Sequence, residues 1–254
     1  MLIPGFRLLL KLGTPPACAD GRALWESVAS LPLDTSEQRA LERVAEERRR
    51  LEKDRRLIHR IDLGAGSRRS HGNRAEVTIG HLARKASVSV TWGRLLFTMA
   101  RAAGSSSVLE LGSCVGISAA YLQVALDLNG GGDLVTLEGD PNLCSIARDT
   151  LESVSQNPGR VVEGRFSETL PSILEKHRPF DLVFIDGHHD PVAVETYLRM
   201  ILPRLSPDAV VILDDVQPLV GAVRPTWRAI VRDSRTSWSV DLIRMGVFGL
   251  KVTQ

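Results

Sequence analysis

Aromatic residues make up only 5% of this 254-residue chain, and they are not interleaved with basic ones. A platform for stacking successive bases is therefore not expected, and Trp92, Trp227 and Trp238 read as packing residues. Cysteine is also scarce. Cys18, Cys114 and Cys144 are odd in number and lack paired metal-ligand spacing, so a disulfide framework is not expected and a reducing compartment, the cytoplasm, is. An excess of one charge is missing too. The 32 Lys and Arg against 30 Asp and Glu leave a net charge of +2, too little for a global field that demands nucleic acid or an anionic membrane. Long hydrophobic runs are absent. The apolar start (Leu2, Ile3, Leu8 to Leu10) is broken by Pro4, Gly5 and Arg7, is too short to span a bilayer, and lacks the extended apolar region of a secretion signal. There is no internal repeat and no low-complexity tract.

What is present is enough apolar material, 43%, for one large α/β core with an N-terminal extension. From Ser107 onward short apolar runs recur at Val108–Leu111, Leu134–Leu137, Arg160–Glu163, Leu182–Ile185 and Val210–Leu213, the pattern of buried parallel strands. Helical stretches over 116–128, 141–154, 168–177, 191–204 and 221–233 separate or follow them. Pro141 and Pro191 suit first-turn positions behind the caps Asp140 and Asp190. Trp238–Met245 and Val247–Val252 are separated by a turn around Gly246 and must pair antiparallel. The expectation is a Rossmann-like, seven-stranded, mostly parallel sheet with a terminal antiparallel hairpin and helices on both faces. Residues 1–90 are read as a helical extension that covers the site as a lid, and 91–254 as the cofactor-binding domain. The extension is expected to contain a charged helix over 37–58, with Leu41, Val44, Leu51 and Leu57 on one side, and a second helix over 91–103 leads into the first strand.

The most specific local pattern is Ser-Ser-Val-Leu-Glu-Leu-Gly-Ser-Cys-Val-Gly-Ile-Ser, residues 106–118. An apolar strand carrying Glu110 runs into a Gly-x-x-x-Gly turn and then a helix start, which lets backbone and free N–H groups approach a nucleotide-like ligand. A second glycine loop, Asp62-Leu63-Gly64-Ala65-Gly66-Ser67, competes for this role. It is followed by polar, glycine-broken sequence rather than an amphipathic helix, and no acid-tipped second strand comes after it. The later loop has both, its second strand ending at Glu138, whose carboxylate can accept hydrogen bonds from both hydroxyls of a ribose. Geometry of this kind serves nicotinamide and flavin enzymes as well.

Taken in succession, ELGSCVGIS, TLEGDP, VVEGRFSETL, FDLVFIDGHHD and VVILDDV resemble the motifs of class I S-adenosylmethionine-dependent methyltransferases, nearest to the small-molecule O-methyltransferase branch. The resemblance spans roughly 90–254 and implies S-adenosylmethionine as cofactor and a small-molecule acceptor. It implies a methionine-binding role for Glu110, Gly112, Ser113, Gly116 and Ser118, a ribose-binding role for Glu138, and adenine contacts from Phe166 and Ser167. Asp186 is assigned to the cofactor and to catalysis. Cys114 departs mildly from the family pattern, where the position is often smaller or more polar.

Asp186 closes the fourth strand and Asp214–Asp215 the fifth, so three carboxylates are expected in one crevice. Mutual repulsion would call for a cation, and a hard divalent ion is the natural one. The resulting expectation is that Asp186, Asp214 and Asp215 bind Mg²⁺. Metal-dependent relatives carry Asp-Asn at the fifth strand, where this chain has Asp-Asp. His189, three residues past Asp186, stands where catechol-type relatives carry a lysine base, and an imidazole suits proton removal near neutral pH; His188 is the second candidate. The basic run Arg48-Arg49-Arg50 with Arg55-Arg56 interleaves with Glu42, Glu46, Glu47, Glu52 and Asp54, as on a solvated, salt-bridged helix. The fourth strand lacks the Asn/Asp-Pro-Pro-aromatic turn of nucleobase amino-methylating enzymes, so nucleic acid is not the expected partner; a homodimer is an open assembly. The rival readings are a nicotinamide-dependent oxidoreductase and a non-catalytic cofactor- or RNA-binding module.

Overall fold

The computed structural model describes residues 32–61, 74–217 and 221–251. Cys18, the apolar start and the 62–67 glycine loop lie outside the described residues.

The chain enters through helix α1 (Thr35–Glu52), whose start is a reciprocal capping box: Asp34 accepts from Glu37 N at 2.8 Å while Glu37 Oε2 accepts from Asp34 N at 3.2 Å. The helix expected over 37–58 stops at Glu52. Leu57–Ile61 instead forms strand β1, antiparallel to β2 (Arg74–Thr78), with Ile58 opposite Val77 and His59 opposite Glu76. Cross-strand pairing with β2, which begins after twelve intervening residues, overrides the charged helical pattern that runs on past Glu52. Helices α2 (Ile79–Lys85) and α3 (Val90–Ala103) follow, capped by Thr78 and Ser89.

The remainder alternates as expected: β3 (Ser107–Leu111), α4 (Ile117–Leu128), β4 (Asp133–Glu138), α5 (Pro141–Val154), β5 (Arg160–Glu163), α6 (Phe166–Lys176), β6 (Phe180–Ile185), α7 (Pro191–Ile201), β7 (Leu205–Leu213), α8 (Arg224–Arg232), β8 (Thr236–Asp241) and β9 (Gly246–Leu250). The seven-stranded sheet has the order β5-β4-β3-β6-β7-β9-β8, parallel except for β9, which is antiparallel to both of its neighbours. Gly246 is the first residue of β9, and the connection spans 242–245.

Successive strand residues feed opposite layers. Val108, Leu134, Leu182, Phe184, Val210 and Ile212 join the core beneath α1 to α5, whereas Leu109, Leu111, Val183, Ile185, Val211 and Leu213 join the core beneath α6 to α8. Burial on both faces explains why these strands read as continuous apolar runs. Ala40, Val44, Leu51, Ile79, Leu82 and Val88 belong to the first of these cores, so the described part of the N-terminal segment shares its apolar interior with the sheet. Arg48 is buried there, donating to Val88 O at 2.7 Å and pairing with Glu52 at 2.9 Å, while the Arg50–Glu47 pair lies partly at the surface. The arginine run is thus only in part the solvated face expected of it.

Candidate active site

The sheet order reverses at β3, where β4 lies on one side and β6 on the other, and a crevice opens beyond the strand ends at such a switch point. Register then aligns the functional positions. Leu111 pairs with Leu137 and with Ile185, and Ile185 pairs with Leu213. Gly112, Glu138, Asp186 and Asp214 are therefore each one residue past a common row.

The Gly112 turn requires glycine. Its φ is +105°, and a Cβ there would stand 2.5 Å from the carbonyl oxygen of Asp186, so strands β3 and β6 could not keep this spacing with any side chain between them. Gly116, at φ +85°, caps α4, and a Cβ would meet Ala147 Cα on α5 at 2.9 Å. It serves helix packing, and is not among the residues lining the crevice. Glu110 is likewise not a lining residue: fully buried in β3, it accepts from Thr136 Oγ1 at 2.5 Å, and Thr136 Oγ1 lies 2.7 Å from Ser113 Oγ. Burial pushes the Glu110 carboxyl up to about 7. The ligand-contacting roles expected of Glu110 and Gly116 are, in this geometry, supporting ones.

The other residues expected to bind cofactor do converge. Gly112, Ser113, Ser118, Glu138, Phe166, Ser167 and Asp186 line one cavity of about 410 Å³, together with His188, His189, Asp214 and Asp215. Glu138 is held rigidly, its Oε2 accepting from Cys114 N at 2.9 Å and its Oε1 from Gly139 N at 2.7 Å and Asp140 N at 3.0 Å. Burial raises its pKa while those N–H groups oppose the rise. The glycine cradle, the buried acid at the second strand end and the cavity size fit a nucleoside-bearing cofactor.

At the opposite end of the row the carboxylates have protein partners. Asp214 is buried and grips Arg244 through both oxygens, at 2.9 Å to Nε and 2.6 Å to Nη2. Asp215, at φ +57°, faces His189, with Nδ1 3.0 Å from Oδ2. Asp186 lies against Asp214; burial first, and then the neighbouring carboxylate, raise its pKa well above the usual range. His189 Nε2 stands 3.9 Å from Asp186 Oδ1, beyond hydrogen-bond reach. The Asp215 hydrogen bond raises the pKa of His189, and the imidazole lowers that of Asp215. His188, at φ +65°, points its Nδ1 to Tyr197 Oη at 2.7 Å. The two histidines therefore have different environments: His189 meets the acidic row at Asp215, and His188 meets Tyr197.

A divalent ion needs several carboxylate oxygens free to converge on one point. Here both oxygens of Asp214 are held by arginine and one oxygen of Asp215 by imidazole. Among the described residues no group of three His, Cys, Asp or Glu side chains is arranged to hold a metal ion. Asp186, Asp214 and Asp215 do not fit the Mg²⁺ site expected of them.

Several lining residues gave no sequence signal as site residues. Arg244 and Tyr197 belong to this group, as do Arg60, Ile61 and the 85–88 segment from the N-terminal region. Arg244 sits between two strands whose hairpin pattern was plain, but nothing local marks it as reaching β7.

The methyltransferase-domain family Methyltransf_24 matches residues 109–216, which run from β3 to just past β7. A catechol O-methyltransferase of Niastella koreensis is 30% identical over 132 residues, covering 51% of this chain and 58% of that protein. A catechol O-methyltransferase of Mycobacterium tuberculosis is 33% identical over 130 residues, covering 51% and 56%. The chain thus matches little more than half the length of these relatives. An O-methyltransferase from Bacillus cereus, solved with S-adenosylhomocysteine, superposes with a TM-score of 0.57 at 23% identity, over 90% of this chain and 97% of that one. An O-methyltransferase from Streptomyces achromogenes involved in tomaymycin synthesis, solved with S-adenosylmethionine, gives 0.57 at 21% over 91% and 95%. Residues 109–216 are thus similar to a methyltransferase domain, and the relatives and structural neighbours that the chain resembles are named O-methyltransferases.

Proposed function

We propose that the protein methylates a hydroxyl oxygen of a small molecule, using S-adenosylmethionine. The observation that carries this reading is the shared cavity: the glycine cradle and Glu138 at one end, the His189–Asp215 pair at the other. Bound there, the cofactor supplies an electrophilic methyl on a sulfonium, which an acceptor oxygen can attack in line, the sulfur keeping the electron pair of the broken bond. Gly112 and Ser113 give that cofactor backbone contact, Glu138 takes the ribose hydroxyls, and Phe166 and Ser167 flank the base. His189 is the proton acceptor. A carboxylate can only accept, so the contact with Asp215 requires the proton on Nδ1 and leaves Nε2 to take the hydroxyl proton. Alignment of the reacting atoms supplies the rest of the acceleration.

Arg60 and Ile61 of the N-terminal hairpin and the 85–88 segment line the same cavity, in keeping with a covering role for the N-terminal region. No helix among the described residues is long and apolar enough to cross a membrane, which suits an acceptor taken from solution.

Calorimetry with S-adenosylhomocysteine, followed by a methyl-transfer assay against a panel of catechols, other phenols and sugar hydroxyls, tests the reading. Micromolar binding with transfer to oxygen is the expected result. Absence of binding overturns it, and binding without transfer to any acceptor favours a non-catalytic module.

A further inference from the structure

Three acids at adjacent strand ends need a positive charge among them, and the chain brings its own. Arg244 lies in the 242–245 connection between β8 and β9 and forks onto Asp214 with both nitrogen–oxygen distances at 2.9 Å or less. A planar guanidinium in this bidentate geometry is permanently charged and geometrically demanding, unlike an ammonium.

The connection is built to aim that side chain. Leu242 N donates to Met245 O at 2.8 Å, Ile243 N to Asp241 Oδ1 at 2.9 Å, and Val216 N to Arg244 O at 2.9 Å. Ile243 adopts φ +73°, a conformation a β-branched residue takes only when its surroundings impose it. Leu242 and Met245 are buried on either side. Backbone, strain and packing thus converge on one exposed-to-cavity guanidinium, which also lines the pocket.

Resting on the methyl-transfer reading, we infer that Arg244 takes the place of a divalent cation at this site: it fixes Asp214, balances the acidic row, and lets the acceptor hydroxyl be oriented without a bound metal. A dication entering the same oxygens would have to displace the bidentate Arg244–Asp214 pair and then face a guanidinium at close range, where like charges in a partly buried setting repel. The same guanidinium keeps Nη1 outside the Asp214 fork, available to a second oxygen of the acceptor. Arg244 is in this sense a positioning residue, and His189 remains the group that takes the proton.

The test uses the intact protein, freed of metals with EDTA and saturated with S-adenosylhomocysteine, titrated with Mn²⁺ while the His189 imidazole is followed by NMR (assigned from the His189→Gln spectrum). The expected result is that His189 signals stay sharp at stoichiometric Mn²⁺. Selective broadening at one equivalent places a metal at the site and overturns the inference. A second arm compares Arg244→Met with Arg244→Lys: loss of the cation shifts the imidazole titration upward, and lysine restores most of the wild-type value. An imidazole indifferent to both changes removes Arg244 from the site. If Arg244→Met does not fold, the wild-type Mn²⁺ titration and the lysine variant still decide. Failure to bind S-adenosylhomocysteine, read by calorimetry beforehand, is a separate result that strikes the methyl-transfer reading and leaves the Mn²⁺ outcome interpretable.

Discussion

Asp140 holds the N-terminal hairpin to the cofactor end of the site: its Oδ2 accepts from Ile61 N at 2.6 Å, at the last residue of β1. The same fully buried carboxylate caps α5 through Oδ1, 2.8 Å from Asn142 N, and Asn142 Nδ2 reaches His59 O at 3.0 Å. One side chain therefore joins the strand that ends in Glu138, the helix behind it, and the wall formed by Arg60 and Ile61. Asp140→Ala removes cap and tether together and should cost about 1–2 kcal/mol in urea unfolding. Asp140→Asn keeps an acceptor oxygen and should recover most of that loss. S-Adenosylhomocysteine affinity should fall in the alanine variant more than in the asparagine one, because the tether borders the Glu138 pocket.

His189 and Asp215 form the pair on which turnover depends. His189→Ala should lower kcat by about 10²- to 10⁴-fold, the usual contribution of a positioned base, while S-adenosylhomocysteine binds as before. The hydrogen bond to Asp215 raises the imidazole pKa, so the base is lost to protonation at higher pH than for a free histidine. The rate should therefore fall as pH drops through a value above about 6.5. Asp215→Asn withdraws the leading cause of that rise and should move the acidic limb of the profile down. A limb that stays in place assigns the titration to another group.

Much of this arrangement was legible because strands buried on both faces betray themselves. The runs ending at Leu111, Leu137, Ile185 and Leu213 need no partner to be recognised, and the acids or glycine that stop them fall at the crevice for the same reason. Glu138, Asp186 and the two histidines could thus be placed from local pattern alone. Arg244 could not, since its role comes from an antiparallel strand returning into the sheet beside β7. The β1–β2 pairing was equally hidden, because Leu57–Ile61 continues a helical charge pattern and its partner follows only after twelve residues. Arg48 sits in a run of three arginines, and only the fold buries it against the 83–88 segment.

Gly112 offers a sharp steric test of the cofactor cradle. Alanine at φ +105° carries a backbone penalty of about 1–3 kcal/mol, and its methyl would lie 2.5 Å from Asp186 O, where main chain must yield. Gly112→Ala should lose that much stability and bind S-adenosylhomocysteine at least tenfold more weakly, the second effect exceeding what the first explains. Gly130, also at positive φ but with open space around its Cβ position, is the control: its alanine variant should lose stability without losing cofactor affinity.

Glu110 should make the protein less stable as pH rises, opposite to the behaviour of a salt-bridged acid. Its carboxyl is pushed up to about 7 in the fold against 4.5 ordinarily, because burial penalises the charged form more than the Ser118 and Thr136 hydroxyls reward it. Between those values the folded chain holds a proton that the unfolded chain has released, so this contribution declines from pH 4.5 to about 7 and is spent above that. A difference of about 2.5 units sets a ceiling of about 3 kcal/mol on the effect. Glu110→Gln cannot ionise and keeps an oxygen for Thr136. Its unfolding free energy should match that of the wild type near pH 4.5 and exceed it at pH 8, with a melting point several degrees higher there. Parallel stability curves for the two proteins would assign the pH dependence to other groups and leave Glu110 ionised inside β3.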